Sequence, residues 1–118
     1  MRIGELSRRT GVSVRLLRYY EEQGLLHPTR LPSGYREYAP QDVEAVRRIR
    51  ALLAAGLTTA TIATLLPCLK GDPDRLVPIC PDLVKDLQRE RARMTAAIEA
   101  LETSRSLLDT VITAAHPT

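Results

Sequence analysis

Two arginines and two adjacent tyrosines lie in the stretch SVRLLRYYEEQGLL, which runs from Ser13 to Leu26. Arginine presents a planar fork of donors that matches phosphate and guanine, and a tyrosine hydroxyl donates to phosphate at low entropic cost. All four tyrosines of the chain lie in its first third, and the chain contains no Phe and no Trp. This concentration predicts a surface that contacts a partner.

The positive charge is concentrated in the same region. Residues 1–50 contain ten arginines and six acidic residues, a balance of +4, whereas residues 51–118 contain seven basic and eight acidic residues, a balance of −1. Charge alone is equally compatible with nucleic-acid binding and with a basic solvated surface. The sequence has no nucleophile–histidine–acid set, no glycine-rich phosphate loop and no HExxH motif, so we expect the protein not to be an enzyme.

Short helices must position these side chains. The segment RIGELSRRTG predicts a first helix that ends at Gly11, and Ser13 is a typical N-cap for a second helix that ends at Gly24. The apolar stripe of the second helix consists of Leu16, Leu17 and Tyr20. Two short helices joined by a glycine-containing turn predict a helix-turn-helix.

The next segment, HPTRLPSGYREYAP, predicts a small β-hairpin, or wing, with its turn at residues 32–34. Pro40 is placed to start a third helix, which Gly56 ends. Thr58 or Thr59 then caps a fourth, short helix that Pro67 ends. The amphipathic spacing and the core of Leu, Ile, Val and Ala favour packed helices over sheets.

From Asp82 onward the sequence predicts one long helix with an apolar seam at 3,4 spacing over four heptads. The seam contains two arginines, Arg91 and Arg105, which would reach acidic residues of a partner. The predicted dimerisation residues are Val84, Leu87, Met94, Ile98, Leu101, Leu108 and Ile112. One such seam cannot bury itself, so we expect a second copy to cover it. The alternative is a helix that folds back on residues 1–67 of its own chain, which we call the head.

The predicted fold class is therefore mainly α, in three parts. We predict a winged helix-turn-helix head in residues 1–67, a Pro-rich connecting loop with both cysteines in residues 68–81, and a dimerisation helix in residues 82–115. No apolar run approaches the roughly 18 residues that cross a bilayer, and the N-terminus has no signal-peptide pattern. We expect a cytoplasmic protein with no membrane partner.

The segments IGELSRRTGVSVRLLRYYEEQGLL, PTRLPSGYREYAPQDVEAVRRI and LLAAGLTTATIATLL closely resemble the MerR family of bacterial transcription regulators. The resemblance implies a homodimer whose long helices pair antiparallel. It also implies that the dimer binds double-stranded promoter DNA and distorts an over-long spacer, so that RNA polymerase can engage both promoter elements. Deforming DNA costs a few kcal/mol or more, so a ligand that shifts the dimer between two shapes can switch transcription.

The resemblance also assigns the DNA contacts. The second helix would enter the major groove with Arg15 and Arg18, and Tyr19 would contact phosphate. The full set implied for DNA binding is Ser13, Arg15, Arg18, Tyr19, Arg30, Ser33, Tyr35, Arg36 and Tyr38. Tyr20 lies on the apolar stripe, which favours core packing for it, and Glu21 is expected to be solvated or to pair with a nearby arginine.

Cys68 and Cys80 flank the Pro-rich loop and are the only cysteines. Three interpretations remain open: buried or bystander cysteines, a redox-active pair that senses oxidants, or a thiolate-bound metal ion shared across the dimer. A helix N-terminus at Asp82 would lower the pKa of the Cys80 thiol. The separation of the pair is not a zinc pattern. Metal-sensing relatives carry further cysteines after the long helix, where this sequence offers only His116.

Two other functions fit parts of the sequence. An effector-free repressor or architectural DNA-binding protein would need the same DNA contacts but no switch. A pure interaction coiled coil would leave the head, rich in arginine and tyrosine, unexplained.

Overall fold

A computed structural model describes residues 1–115 of the chain, which divides into a first unit, Met1–Cys80, and a second unit that begins at Pro81. The five helices of the described residues are α1 (Ile3–Thr10), α2 (Val14–Glu22), α3 (Asp42–Ala54), α4 (Thr59–Leu65) and α5 (Leu83–Ala114). Two antiparallel hairpins lie between helices. Between α2 and α3, β1 (Thr29–Arg30) pairs with β2 (Arg36–Glu37), and between α4 and α5, β3 (Leu69–Lys70) pairs with β4 (Val77–Pro78). The predicted mainly α fold class is confirmed.

The turn between α1 and α2 is set by local chemistry. Gly11 adopts a left-handed conformation (φ 73°) and donates its amide to the Ser7 carbonyl at 2.9 Å, which ends α1. The Ser13 hydroxyl accepts a hydrogen bond from the Leu16 amide at 3.1 Å and so caps α2. Both predicted helix boundaries are confirmed, because each depends only on residues within one turn of it.

The β1–β2 hairpin is the predicted wing. Thr29 pairs with Glu37 and Arg30 with Arg36, and the Gly34 amide donates to the Leu31 carbonyl at 2.9 Å to close the turn. Gly34 has a φ of 89°, which a residue with a side chain rarely adopts.

The core of the first unit lies between α1, α2, α3 and α4, with α3 packed against both α1 and α4. Its buried apolar residues are Leu6, Val12, Leu17, Tyr20, Leu25, Leu26, Tyr38, Val46, Ile49, Leu52, Ile62, Leu65 and Leu69. Tyr20 and Tyr38 are the largest fully buried side chains of the described residues. Helix α3 begins two residues after Pro40, and the Asp42 carboxylate accepts from the Ala39 amide at 2.9 Å.

The segment predicted as a plain connecting loop contains regular structure. Residues Leu66–Cys68 form a short 3₁₀ helix that includes Pro67, and the β3–β4 hairpin follows with Leu69 opposite Pro78. The Ile79 amide donates to the Cys68 carbonyl at 2.8 Å, and a disulfide joins Cys68 to Cys80. Sequence analysis missed this hairpin because one of its strands contains proline, which argues against a strand.

Helix α5 has 32 residues, which at 1.5 Å per residue gives a length of about 48 Å. Asp82 occupies the predicted N-cap position, but its side chain makes no capping hydrogen bond. Leu83 is the one buried residue that α5 contributes among the described residues. None of the helices described is long and apolar enough to cross a membrane.

Candidate nucleic-acid interface

Helix α2 separates its buried side chains from its exposed ones. Leu17 and Tyr20 are 0% and 1% exposed, and their three-residue spacing places them on the face that packs into the core. Arg15, Arg18 and Tyr19 are exposed on the remaining surface. The helix is thus anchored by two residues and presents two guanidinium groups and a phenol, the groups that bind phosphate and base edges.

Leu16 is more exposed than its position on the predicted apolar stripe indicates. The spacing puts it on the apolar stripe with Leu17, but the structure leaves it 39% exposed beside Arg15 and Tyr19. The core contact of α2 is therefore narrower than the predicted stripe. An exposed aliphatic side chain at this position has the chemistry to contact a thymine methyl group in the major groove.

The wing presents a second group of predicted contacts. Arg30, Ser33 and Tyr35 are exposed, with Tyr35 at 56%. The guanidinium carbon of Arg2 lies 4.1 Å from the centre of the Tyr35 ring, a cation–π contact between the start of α1 and the wing.

Arg36 holds the wing against α2. Its Nε donates to Glu21 Oε1 at 2.9 Å and lies 2.8 Å from Oε2, and both side chains are partly buried. The hydrogen bond and the negative charge of Glu21 raise the pKa of Arg36, so the pair stays charged. This contact confirms the pairing that was one of the alternatives for Glu21. It also gives Arg36 a positioning function in addition to the predicted DNA contact.

Tyr38 differs in burial from the other predicted DNA contacts. It is 1% exposed, and among the described residues its buried hydroxyl has no hydrogen-bond partner. Burial is the main cause that raises the pKa of this phenol. The Tyr38 amide donates to the Met1 carbonyl at 2.7 Å, which ties the wing to the start of the chain. Tyr38 directly follows β2, and its side chain is part of the core.

Two arginines that sequence analysis left out lie near the predicted contacts. Arg2 and Arg8 line a cleft together with Arg18, Tyr35 and Arg36. The sequence contained a weak signal, since a first helix that only supported the second would not need so many arginines. Their positions relative to the wing are set by packing and could not be read from spacing.

The seam of α5 is uncovered in the single chain. Leu87 is partly buried, whereas the other predicted dimerisation residues are exposed. Their exposed fractions are 45% for Val84, 39% for Met94, 55% for Ile98, 71% for Leu101, 60% for Leu108 and 59% for Ile112. Leu107 and Val111 widen the stripe, at 65% and 59%.

The cysteines form a disulfide with a Cα–Cα distance of 5.2 Å, so neither is a free thiol. The expected lowering of the Cys80 thiol pKa therefore does not apply to this state, and a disulfide offers no thiolate to a metal. Within residues 1–115 no group of three His, Cys, Asp or Glu side chains is placed to hold a metal ion. His116 lies outside the described residues.

Comparison with known proteins agrees with this geometry. Residues 1–68 match the family model described as MerR HTH family regulatory protein. The chain is 33% identical over 116 residues to the HTH-type transcriptional regulator HmrR of Rhizobium leguminosarum bv. viciae, covering 98% of this chain and 87% of the relative. It is 36% identical over 97 residues to the mercuric resistance operon regulatory protein of Bacillus cereus, covering 75% and 70%.

A third relative is the HTH-type transcriptional activator SoxR homolog of Chromobacterium violaceum, 32% identical over 110 residues that cover 93% of this chain and 72% of the relative. The helix-turn-helix and wing described above fall within the matched region. The chain therefore belongs to the MerR family of DNA-binding transcription regulators.

Proposed function

We propose that this regulator is a homodimer that acts in the cytoplasm, binds a promoter spacer, and distorts it to control access by RNA polymerase. We further propose that the oxidation state of Cys68 and Cys80 is its signal. The observation that carries the DNA-binding part is the division of α2 into a buried anchor of Leu17 and Tyr20 and an exposed set of Arg15, Arg18 and Tyr19.

The exposed seam of α5 supports the dimer. A helix of 32 residues with side chains such as Ile98 and Leu101 more than half exposed leaves an apolar surface that a monomer would hold in water. An apolar 3,4 pattern of this length is typical of helices that pair with another helix. A twofold dimer would present two copies of α2, so that one promoter contacts both heads.

The disulfide supports a redox signal rather than a metal. Forming it removes two protons and two electrons from the two thiols. A hydroperoxide accepts them as its O–O bond breaks, giving water and, from an organic hydroperoxide, an alcohol. Return to the thiols requires a dithiol reductant, which becomes a disulfide in turn.

The disulfide lies at the end of the first unit, next in the chain to the second. It closes the β3–β4 hairpin, whose Gly71 carbonyl accepts a hydrogen bond from Arg48 of α3 at 2.8 Å. Cys80 is followed after two residues by the first residue of α5. Reduction would free the segment that joins the head to α5. A conformational change in the dimer would reach the head through this segment.

The alternative function is an effector-free repressor or architectural protein. The same hairpin contacts favour it, because a disulfide that closes a short hairpin can act purely as a structural cross-link. The two functions predict the same DNA contacts and differ in whether the DNA is distorted and in the response to reductant.

A nuclease footprint on the DNA upstream of the coding region, with and without a dithiol reductant, tests both. We expect protection of an over-long spacer, with hypersensitive cuts at its centre that change when the disulfide is reduced. The matched control is the Cys68→Ser, Cys80→Ser double variant, whose footprint should be indifferent to reductant. Protection without distortion and without any response to reductant would favour the effector-free repressor.

A further inference from the structure

A cleft of about 480 Å³ lies between the start of α1, helix α2 and the tip of the wing. Four arginines line it: Arg2, Arg8, Arg18 and Arg36. No acidic side chain from residues 1–115 lines the cleft. Glu21 pairs with Arg36 and does not line the cleft, whereas Arg2, Arg8 and Arg18 form no salt bridge within the described part of the chain. Three uncompensated positive charges therefore face one small space.

Arg2 is held in this position although it is near the end of the chain. The backbone hydrogen bond from the Tyr38 amide to the Met1 carbonyl fixes the residue before it. Its guanidinium rests on the exposed Tyr35 ring at 4.1 Å, which limits the conformations of the side chain. An arginine ordered in this way loses less entropy when it binds an anion.

Arg8 points toward the same end of α1. Its Nη1 would lie 3.7 Å from a Cβ atom placed on Gly4, so the side chain reaches back one turn toward the helix start. The neighbouring Arg9 behaves differently, because it pairs with Glu5 at 3.0 Å. The two adjacent arginines thus offer a paired and an unpaired guanidinium on one helix.

The start of α1 adds backbone donors. Arg2 occupies the N-cap position without a side-chain capping hydrogen bond. The first amides of a helix have no intrahelical acceptor, and Ile3 and Gly4 line the cleft. Free amides together with unpaired guanidinium groups match the oxygens of a phosphodiester.

We propose that this cleft binds a DNA backbone phosphate beside the bases that α2 reads, and that Arg2 and Arg8 are its two principal contacts. The proposal rests on the DNA binding proposed above and extends it to α1, which becomes part of the interface rather than only a support for α2. A phosphate held between α1, Arg18 of α2 and Tyr35 of the wing would fix the register of the recognition helix without reading sequence.

The test compares the Arg2→Gln, Arg8→Gln double variant with wild type and with Arg9→Gln, whose arginine lies on the same helix but is paired with Glu5. Fluorescence anisotropy measures binding to the footprinted promoter and to an unrelated duplex at several salt concentrations. Circular dichroism checks that all three proteins have the same helix content. Inorganic phosphate is titrated separately, to detect a site for free anions.

We expect each arginine removed to cost on the order of five- to tenfold in affinity at about 0.1 M salt, equally for both duplexes. The slope of log affinity against log salt should become less negative by about 2 in the double variant, because the proposed dimer has two clefts and loses one phosphate contact at each. Arg9→Gln should keep the wild-type slope.

A wild-type slope in the double variant would overturn the proposal and leave the proposed function standing. Failure of the wild-type protein to bind either duplex would overturn both. Tight binding of inorganic phosphate that the double variant loses, with an unchanged DNA slope, would overturn the DNA assignment and identify a small-anion site instead.

Discussion

The first unit buries many of its large apolar side chains, whereas helix α5 leaves most of its own exposed. All but one of the buried apolar residues of the described chain lie in the first unit, where side chains such as Ile49 and Ile62 are 0% exposed. Helix α5 buries only Leu83 and leaves Leu101 71% exposed. The head is stabilised by contacts within its own chain, whereas the helix leaves an apolar surface exposed, which the proposed dimer would bury.

This difference predicts that a substitution in one unit leaves the properties of the other unit unchanged. A change in the seam of α5 should affect association and leave the head folded. A change inside the head should affect its stability or its DNA contacts and leave association intact. Four changes to the protein test whether the two units are independent, beginning with the change of largest expected effect.

Leu101→Glu should weaken the dimer by about 4 kcal/mol, roughly a thousandfold in its dissociation constant, because it places unpaired charges in an apolar seam. Sedimentation equilibrium measures the change, and the thermal unfolding of the head reports whether it stays folded. Thr103→Glu, on the opposite face of the helix, is the control and should remain dimeric. A dimeric Leu101→Glu protein would show that the seam is misplaced.

Reduction of the Cys68–Cys80 disulfide should lower the free energy of unfolding of the head by about 3 kcal/mol, given the 12-residue separation of the cysteines. The cause is the added freedom of the unfolded chain. Urea unfolding with and without reductant measures it, alongside sedimentation of the same samples. Dissociation of the dimer on reduction would show that the disulfide belongs to both units and would break the separation.

Arg18→Ala should cost about 2 kcal/mol of DNA binding, roughly thirtyfold, because one arginine fork is lost from the recognition surface. Both the dimer and the folded head should persist, since Arg18 is exposed and forms no salt bridge among residues 1–115. Arg47→Ala, which removes an arginine paired with Glu44, is the matched control. Unchanged binding by Arg18→Ala would disprove the assignment of α2 as the recognition helix.

Tyr38→Phe should stabilise the head by up to about 1 kcal/mol, because it removes a buried hydroxyl that has no partner among the described residues. It should leave DNA affinity unchanged, as expected of a core residue. Tyr19→Phe, at an exposed position, should not change the stability of the head. A loss of DNA affinity in Tyr38→Phe would instead support the DNA contact that the family resemblance implies for Tyr38.

The same variant has a pH signature. Burial, followed by the charge of Glu21, raises the pKa of Tyr38, so the folded state holds this proton more tightly than the unfolded state. The resulting stability is fully present below the unfolded pKa of about 10 and is lost as pH rises through the folded pKa. Tyr38→Phe should therefore lose less stability above about pH 10 than wild type. Burial also raises the pKa of Tyr20, so Tyr20 should contribute to the loss that remains.

Sequence alone determined the elements whose causes are local. The Ser13 cap, the Gly11 stop and the turn at Gly34 depend on residues a few positions apart, and each was predicted. The long helix was equally clear, because a 3,4 pattern over four heptads has no other regular structure to fit. The buried and exposed faces of α2 followed from the same periodicity, apart from Leu16.

Only the tertiary structure decided which distant residues meet. Three features depend on residues that lie 12 to 37 positions apart. They are the disulfide between Cys68 and Cys80, the contact of Arg36 with Glu21, and the burial of Tyr38, whose backbone bonds to Met1. The gathering of Arg2 and Arg8 beside the wing is of the same kind. Periodicity fixes the direction of a side chain on its own helix, but the neighbour it reaches is set by how helices and hairpins pack around a shared core.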